Sequence, residues 1–312
     1  MDIFVKLNWS HQNSFVKGFI LYPNGVRAML YVLFSVLCSV TVAVIIKFAK
    51  QQRINYLQLI VWNYPIALLL TYTVLKPTLL PWDSSLAWHL YIPLGLLLPS
   101  IFFCIALAIR YSGIVKTEVA QRLSLFIPLL AAYFFLGEQI GANKLIGIVV
   151  GLLAIICSIG WTRTSQIESS YKMIYPLAVF FGMGIIDVLF KQVATLSSIS
   201  YMSSLWIVFT LAFIFALGLL MYLLLVKKQK LDTRAILYGA LLGVFNFWNI
   251  AFYMQAHQAL PDSPSLVFTG MNIGVITVGA LVGVLIFKEK LNILNKIGII
   301  LAVVAVLLIA LL

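Results

Sequence analysis

Asp187 and Lys191 lie four residues apart in a strongly apolar stretch, so on a helix both project from one face. A carboxylate held in hydrocarbon must either pair with a cation or take up a proton. The pair therefore predicts a substrate or proton site that switches between those two states. A static helix staple is the competing reading. Glu118 and Arg122 repeat the spacing in another apolar stretch. There the ordinary helix-stabilising role of an i,i+4 pair stands level with function, and an Arg122 facing a cavity would attract a carboxylate or phosphate. A third constellation is Asn246, Asn249, Tyr253 and His257, whose 3–4–4 spacing makes one helical stripe. Amides and a phenol beside aromatics suit an amphipathic small-molecule pocket, and they equally suit hydrogen bonds between helices. His257, near the end of its stretch, reads as an interfacial residue. Asn272 with Thr269, and the run Trp62, Asn63 and Tyr64, are weaker candidates of the same kind.

The elements that must carry these groups follow from composition. With 63% hydrophobic and 10% charged residues, the 312-residue chain is not an ordinary soluble domain. A span of hydrocarbon needs about 20 apolar residues as helix. Ten stretches qualify: 28–48, 56–75, 87–109, 114–135, 143–161, 173–194, 200–226, 234–256, 265–286 and 293–312. Continuous apolar runs exclude a β-barrel, whose strands are half as long and alternate. The expected fold is an all-α integral membrane protein of ten transmembrane helices. Residues 1–27 read as an N-terminal extension, 28–161 as a first five-helix unit and 173–312 as a second.

Duplication supports that division. Residues 134–153 return at 285–304, and Tyr31 through Lys47 aligns with Tyr175 through Lys191. Two related bundles can rock about a site at their seam, which is the logic of a transporter. Small residues at helical spacing (Gly147 and Gly151, Gly239 and Gly243, Gly270 and Gly274, Gly279 and Gly283) predict tight helix seams. Pro65, Pro93, Pro99, Pro128 and Pro176 predict bends. Spans 5 and 10 carry few polar side chains and read as peripheral, or as facing a second copy in a homodimer.

The net charge of +12 caps helices and does not indicate nucleic acid. Fourteen Lys and Arg fall on the loops after the odd-numbered spans and five on the opposite side. The positive-inside rule then makes the first side cytoplasmic, with both termini outside. Cys38, Cys104 and Cys157 lie in spans and read as packing residues. No HExxH, GxSxG, Walker A or cysteine–histidine metal spacing occurs, so neither an enzyme nor a cofactor is expected.

Phe135-Leu136-Gly137-Glu138, the glycine-punctuated span that follows, and the second copy at Ile286–Ala302 resemble the drug/metabolite transporter superfamily in its EamA-like branch. The resemblance implies two inverted five-helix repeats around a central cavity and secondary transport of small metabolites or amino acids, commonly efflux. Members often carry an Arg at the head of span 2, where this chain has Trp62-Asn63-Tyr64. Members also often keep both termini in the cytoplasm, opposite to the charge count.

Together these readings predict a permease of the inner (plasma) membrane that exports or exchanges a small metabolite by alternating access. Glu118, Arg122, Asp187, Lys191, Asn246, Asn249, Tyr253 and Asn272 are its expected binding or coupling residues, with protons as a candidate coupling partner. An exchanger for phosphorylated or nucleotide-linked sugars is the nearest alternative, and a membrane scaffold the alternative from another class.

Overall fold

Nine helices run through the described part of the chain in a computed structural model. It describes residues 24–83, 85–112, 117, 120–121, 123–135, 137, 142–158 and 174–286, with 293–294, 296–298, 300–301, 304 and 308 towards the end. They are α1 (Asn24–Gln51), α2 (Tyr56–Leu70), α3 (Trp88–Ser112), α4 (Phe126–Phe134), α5 (Ala142–Ser158), α6 (Ile174–Ala194), α7 (Tyr201–Met221), α8 (Thr233–Ala259) and α9 (Pro264–Leu285). No strand occurs among the described residues. Seven of the helices are long and apolar enough to cross a bilayer. Helices satisfy every backbone amide internally, which is the condition for standing in lipid, and the protein is a multi-pass helical membrane protein. The tenth expected span, 293–312, falls mostly outside the described residues, as do Glu118, Arg122, Glu138 and Glu289.

Local chemistry explains where the helices start and bend. Asn55 caps α2, its side chain accepting from Leu57 and Gln58 N–H. Ser200 caps α7 through Ser203 N–H, and Asp232 caps α8 through Arg234 N–H. Both α2 and α7 end in a π turn, Thr71–Leu75 and Tyr222–Val226. Each is followed within two residues by a lysine in the left-handed region, Lys76 and Lys228. The expected fourth span is interrupted: Ser124 and Leu125 form a turn before α4. Pro128 has no N–H for the Ser124 carbonyl, and Ile127 N bonds that carbonyl instead at 3.0 Å.

The helices pack across the chain's two parts more than within them. α8 lies against α1 and α2, α3 against α6 and α7, α9 against α1 and α4, α6 against α4, and α2 against α7. Exchanging α1 with α6, α2 with α7, α3 with α8 and α4 with α9 maps this set of partners onto itself. The caps obey the same exchange. Gln58, three residues after the α2 cap, donates to Lys230 O in the α7–α8 loop at 2.8 Å. Ser203, three residues after the α7 cap, donates to Thr78 O in the α2–α3 loop at 2.9 Å. Directions follow from the contacts: Tyr31 meets Phe252 and Ser35 meets Asn249, so α1 and α8 run oppositely.

Glycines set the closest approaches. A Cβ on Gly239 would stand 2.5 Å from Trp62 Cβ, and one on Gly243 2.5 Å from Asn63 O, so the α2–α8 seam requires both. Gly270 and Gly274 receive Val32 and Val36 of α1. Gly279 differs from expectation, having nothing within 4 Å of its Cβ position. Gly95 against Leu211 and Gly184 against Ile127 make two further seams that the four-residue spacing did not reveal. α5 packs against α9.

Asp232 ties one end of this frame together. It accepts from Asn55 N and Arg234 N, both at 3.1 Å, and lies beside the Arg234 guanidinium. Above all the Asn55 amide holds its carboxyl below the usual carboxylate range. Asp232→Ala is expected to lower stability by about 1 kcal/mol, the typical worth of such a cap. Because the folded state depresses this titration, the contribution is present above the unfolded carboxylate value near ~4 and is lost as pH falls through the folded one. Melting curves of both proteins should therefore differ at neutral pH and converge in acid; an equal gap at both would exclude the carboxylate as the cause.

Candidate functional site

α8 presents its polar stripe to three different helices. At its lowest level Asn246 Nδ2 donates to Asn63 Oδ1 of α2 at 3.2 Å, with both residues buried. One turn on, Ser35 Oγ of α1 donates to Asn249 Oδ1 at 2.7 Å and lies 2.9 Å from Asn249 O. The next turn brings Tyr253, whose hydroxyl donates to Asp187 Oδ1 of α6 at 3.0 Å. The stripe expected from spacing exists, but its two asparagines are occupied as links between helices. Interhelical bonds of this kind couple weakly, by about 0.6 kcal/mol on average. A double-mutant cycle on Asn63→Ala and Asn246→Ala should read a coupling of that order, and none at all would deny the bond a stabilising part.

Asp187 occupies the seam between α6 and α8. It is the single acidic side chain within the membrane-spanning helices among the described residues, and it is only half-buried, although the helix ends are a turn or more away. Tyr253 is buried, and Phe190 meets its ring edge-on at 6.3 Å. A carboxyl with one firm donor can exchange a proton or receive a cationic or hydrogen-bonding group. Lys191, one turn further along α6, is buried, and its Nζ donates to Pro261 O in the α8–α9 turn at 2.7 Å.

His257 corrects the sequence reading. It is not interfacial: it has 0% exposure. α8 continues three residues past the expected end at 256, and Phe268 of α9 closes over the imidazole at 4.8 Å, opposite Tyr253 at 4.7 Å. Neither ring nitrogen has a hydrogen-bond partner, and Thr269 Oγ1, Trp62 Nε1, Asn63 Nδ2 and Tyr64 Oη share that condition. Asn272 bonds back to Phe268 O of its own helix at 3.0 Å. Of the expected site, the structure brings together Asp187, Tyr253 and Lys191, with His257 beside Tyr253 as an addition, sets Asn246 and Asn249 further back along α8, and leaves Asn272 engaged on α9. Glu118 and Arg122 lie outside the described residues. Ser35 and the Pro261 carbonyl escaped the sequence reading. A serine among apolar residues gives little signal, and a backbone acceptor gives none. Among the described residues no group of three His, Cys, Asp or Glu could hold a metal, and the three cysteines are free.

Residues 26–160 and 171–311 each match the EamA-like transporter family. The chain belongs to that family. EamA-like proteins are membrane transporters, and the double match places one copy on each part of the chain. A protein of Haemophilus influenzae (strain Rd), described as an uncharacterized protein, is 40% identical over 281 residues, covering 88% of this chain and 95% of its own. A protein crystal structure of 16% identity superposes with a TM-score of 0.71 over 91% of this chain and 96% of that one, a likeness of fold.

Proposed function

We propose that the protein is a secondary transporter of the inner (plasma) membrane. In this reading it exports or exchanges a small polar or amphipathic metabolite, such as an amino acid or a related compound, by alternating access coupled to protons. Its frame is ten helices in two inverted five-helix repeats around a central cavity. The partner exchange described above supports that frame, because an odd number of crossings per unit obliges the second unit to run upside down relative to the first. The charge bias of the loops supports termini on the outer side.

One observation carries the mechanism: a half-buried carboxylate, Asp187, at the seam between α6 and α8, two helices of the second unit that lean on different helices of the first, held by a phenol from the facing helix. Because α6 is packed on α3 and α4 while α8 is packed on α1 and α2, rocking of these two cross-packed groups would move α6 against α8 and so alter what Asp187 can bind. Tyr253 orients the carboxyl, Phe190 packs edge-on against the Tyr253 ring, and Lys191 supplies the neighbouring positive charge. Coupling arises if proton and substrate occupancy of that carboxyl exclude each other.

The test begins with a thermal-shift screen of amino acids, amines, sugar phosphates and nucleotides, since a ligand of the folded form raises its melting temperature. The ligand found is then loaded into proteoliposomes under an imposed pH gradient. Movement against its own gradient, abolished by a protonophore, is the expected result. Sugar-phosphate counterflow indifferent to the protonophore would replace this reading with an exchanger.

A further inference from the structure

Of the groups that can engage the Lys191 ammonium, two bear on the α6–α8 seam. It donates to Pro261 O, a neutral carbonyl in the turn between α8 and α9. One turn back on the same face of α6 stands the Asp187 carboxyl, now bonded by Tyr253. A charged acceptor holds a buried ammonium more strongly than a neutral one. Which acceptor wins therefore depends on whether Asp187 carries its proton.

We propose that Lys191 is a gate residue of the transporter: its ammonium alternates between Pro261 O and Asp187, tying the α8–α9 turn to α6 while Asp187 is protonated and releasing it when the proton leaves. The proton departs to water, Asp187 becomes a carboxylate, and Lys191 swings to it, which frees the end of the α6–α8 seam beside the α8–α9 turn, here called the mouth. Nothing else is gained or lost. The structure shows the tied arrangement. This inference rests on the proton-coupled reading of Asp187 given above.

Among the described residues, the surroundings limit what else could act as the switch. On α6 itself the charged neighbour is Lys191. From α8 come Tyr253 and His257, and the α8–α9 turn adds the exposed Asp262 beside Pro261. α3 and α4 present Ile101 and Ile127 at Gly182 and Gly184, both apolar. His257 is the rival titrating group. Its imidazole is fully buried between Tyr253 and Phe268, with both nitrogens unpartnered, and a proton there would repel Lys191.

Spin labels on exposed Ser197→Cys, just beyond α6, and exposed Gln258→Cys, near the end of α8, report the mouth directly. Cys38, Cys104 and Cys157 are replaced by serine for this purpose. The full-length protein in lipid should give one short distance at pH 5, and at pH 9 a longer population whose ratio to the first has risen about tenfold or more. Asp187→Asn keeps the short distance at both values, since an amide offers no charge. Lys191→Met gives the longer distance at both. Should that variant not fold, the isosteric Asp187→Asn and the wild type still decide the matter. His257→Phe retains the transition. A distance indifferent to pH in the wild type, a transition surviving in Asp187→Asn, or one lost in His257→Phe overturns the gate. Proton-driven flux through a mouth that never widens keeps the transporter reading and discards Lys191 alone; flux still proton-driven in Asp187→Asn discards both.

Discussion

Vesicles carrying Asp187→Asn are expected to equilibrate substrate without concentrating it, where wild-type vesicles accumulate it about tenfold for each unit of imposed pH gradient. The tenfold figure is the free energy of one proton moved across one pH unit, about 1.4 kcal/mol. Asparagine keeps the shape of the side chain and an oxygen for the Tyr253 hydroxyl, so the 3.0 Å bond across the α6–α8 seam survives. What it cannot do is hold and release a proton. Downhill exchange should therefore persist and melting temperature should change little, while uphill movement disappears. Asp187→Leu makes the complementary case: it orphans the Tyr253 hydroxyl in a buried site, at a cost of about 1–3 kcal/mol, and loses stability as well as coupling. Undiminished accumulation by the asparagine variant, measured with the same gradient, would remove Asp187 from the coupling mechanism.

Gly243→Val is expected to destabilise the α2–α8 seam strongly. The new Cβ would stand 2.5 Å from Asn63 O and 2.8 Å from Ile66 Cβ. One of those is backbone and cannot rotate away, so the helices must separate. Overpacking alone costs about 1–3 kcal/mol. Here the separation also stretches the Asn246–Asn63 bond, already 3.2 Å. Gly279→Val supplies the control, since nothing lies within 4 Å of its Cβ position. Melting curves in detergent should place Gly243→Val well below both the wild type and Gly279→Val. Equal melting of the two variants would mean that the seam yields, and that close approach there is not what holds α8.

Much of this architecture was legible because the bilayer imposes one length scale. The second span was expected at 56–75, and α2 with its π turn occupies those residues. The seventh was expected at 200–226, and helix with its π turn covers Tyr201–Val226. Periodicity also found the α8 stripe. It could not tell which neighbour each residue would meet, because a repeat of 3.6 residues reports a face and not its partner. Asn246 and Asn249 became fastenings to α2 and α1, and Tyr253 became the donor to Asp187. His257 was misread because its burial depends on Phe268, eleven positions away and on another helix. Lys191 was matched to the acceptor visible in sequence, its i−4 neighbour. The Pro261 carbonyl that holds it belongs to the backbone, which sequence patterns do not display.

Helices that find their mates across the chain constrain how the protein is made. While the ribosome is still producing the later portion, α1 and α2 have been delivered to the bilayer without α8, the helix that both lean on. Until it arrives, Asn63 and Ser35 face lipid or the insertion machinery with their polar groups unanswered. Quality control should thus see a vulnerable, half-assembled species late into translation, and maturation should hinge on the insertion of a single segment, Thr233–Ala259.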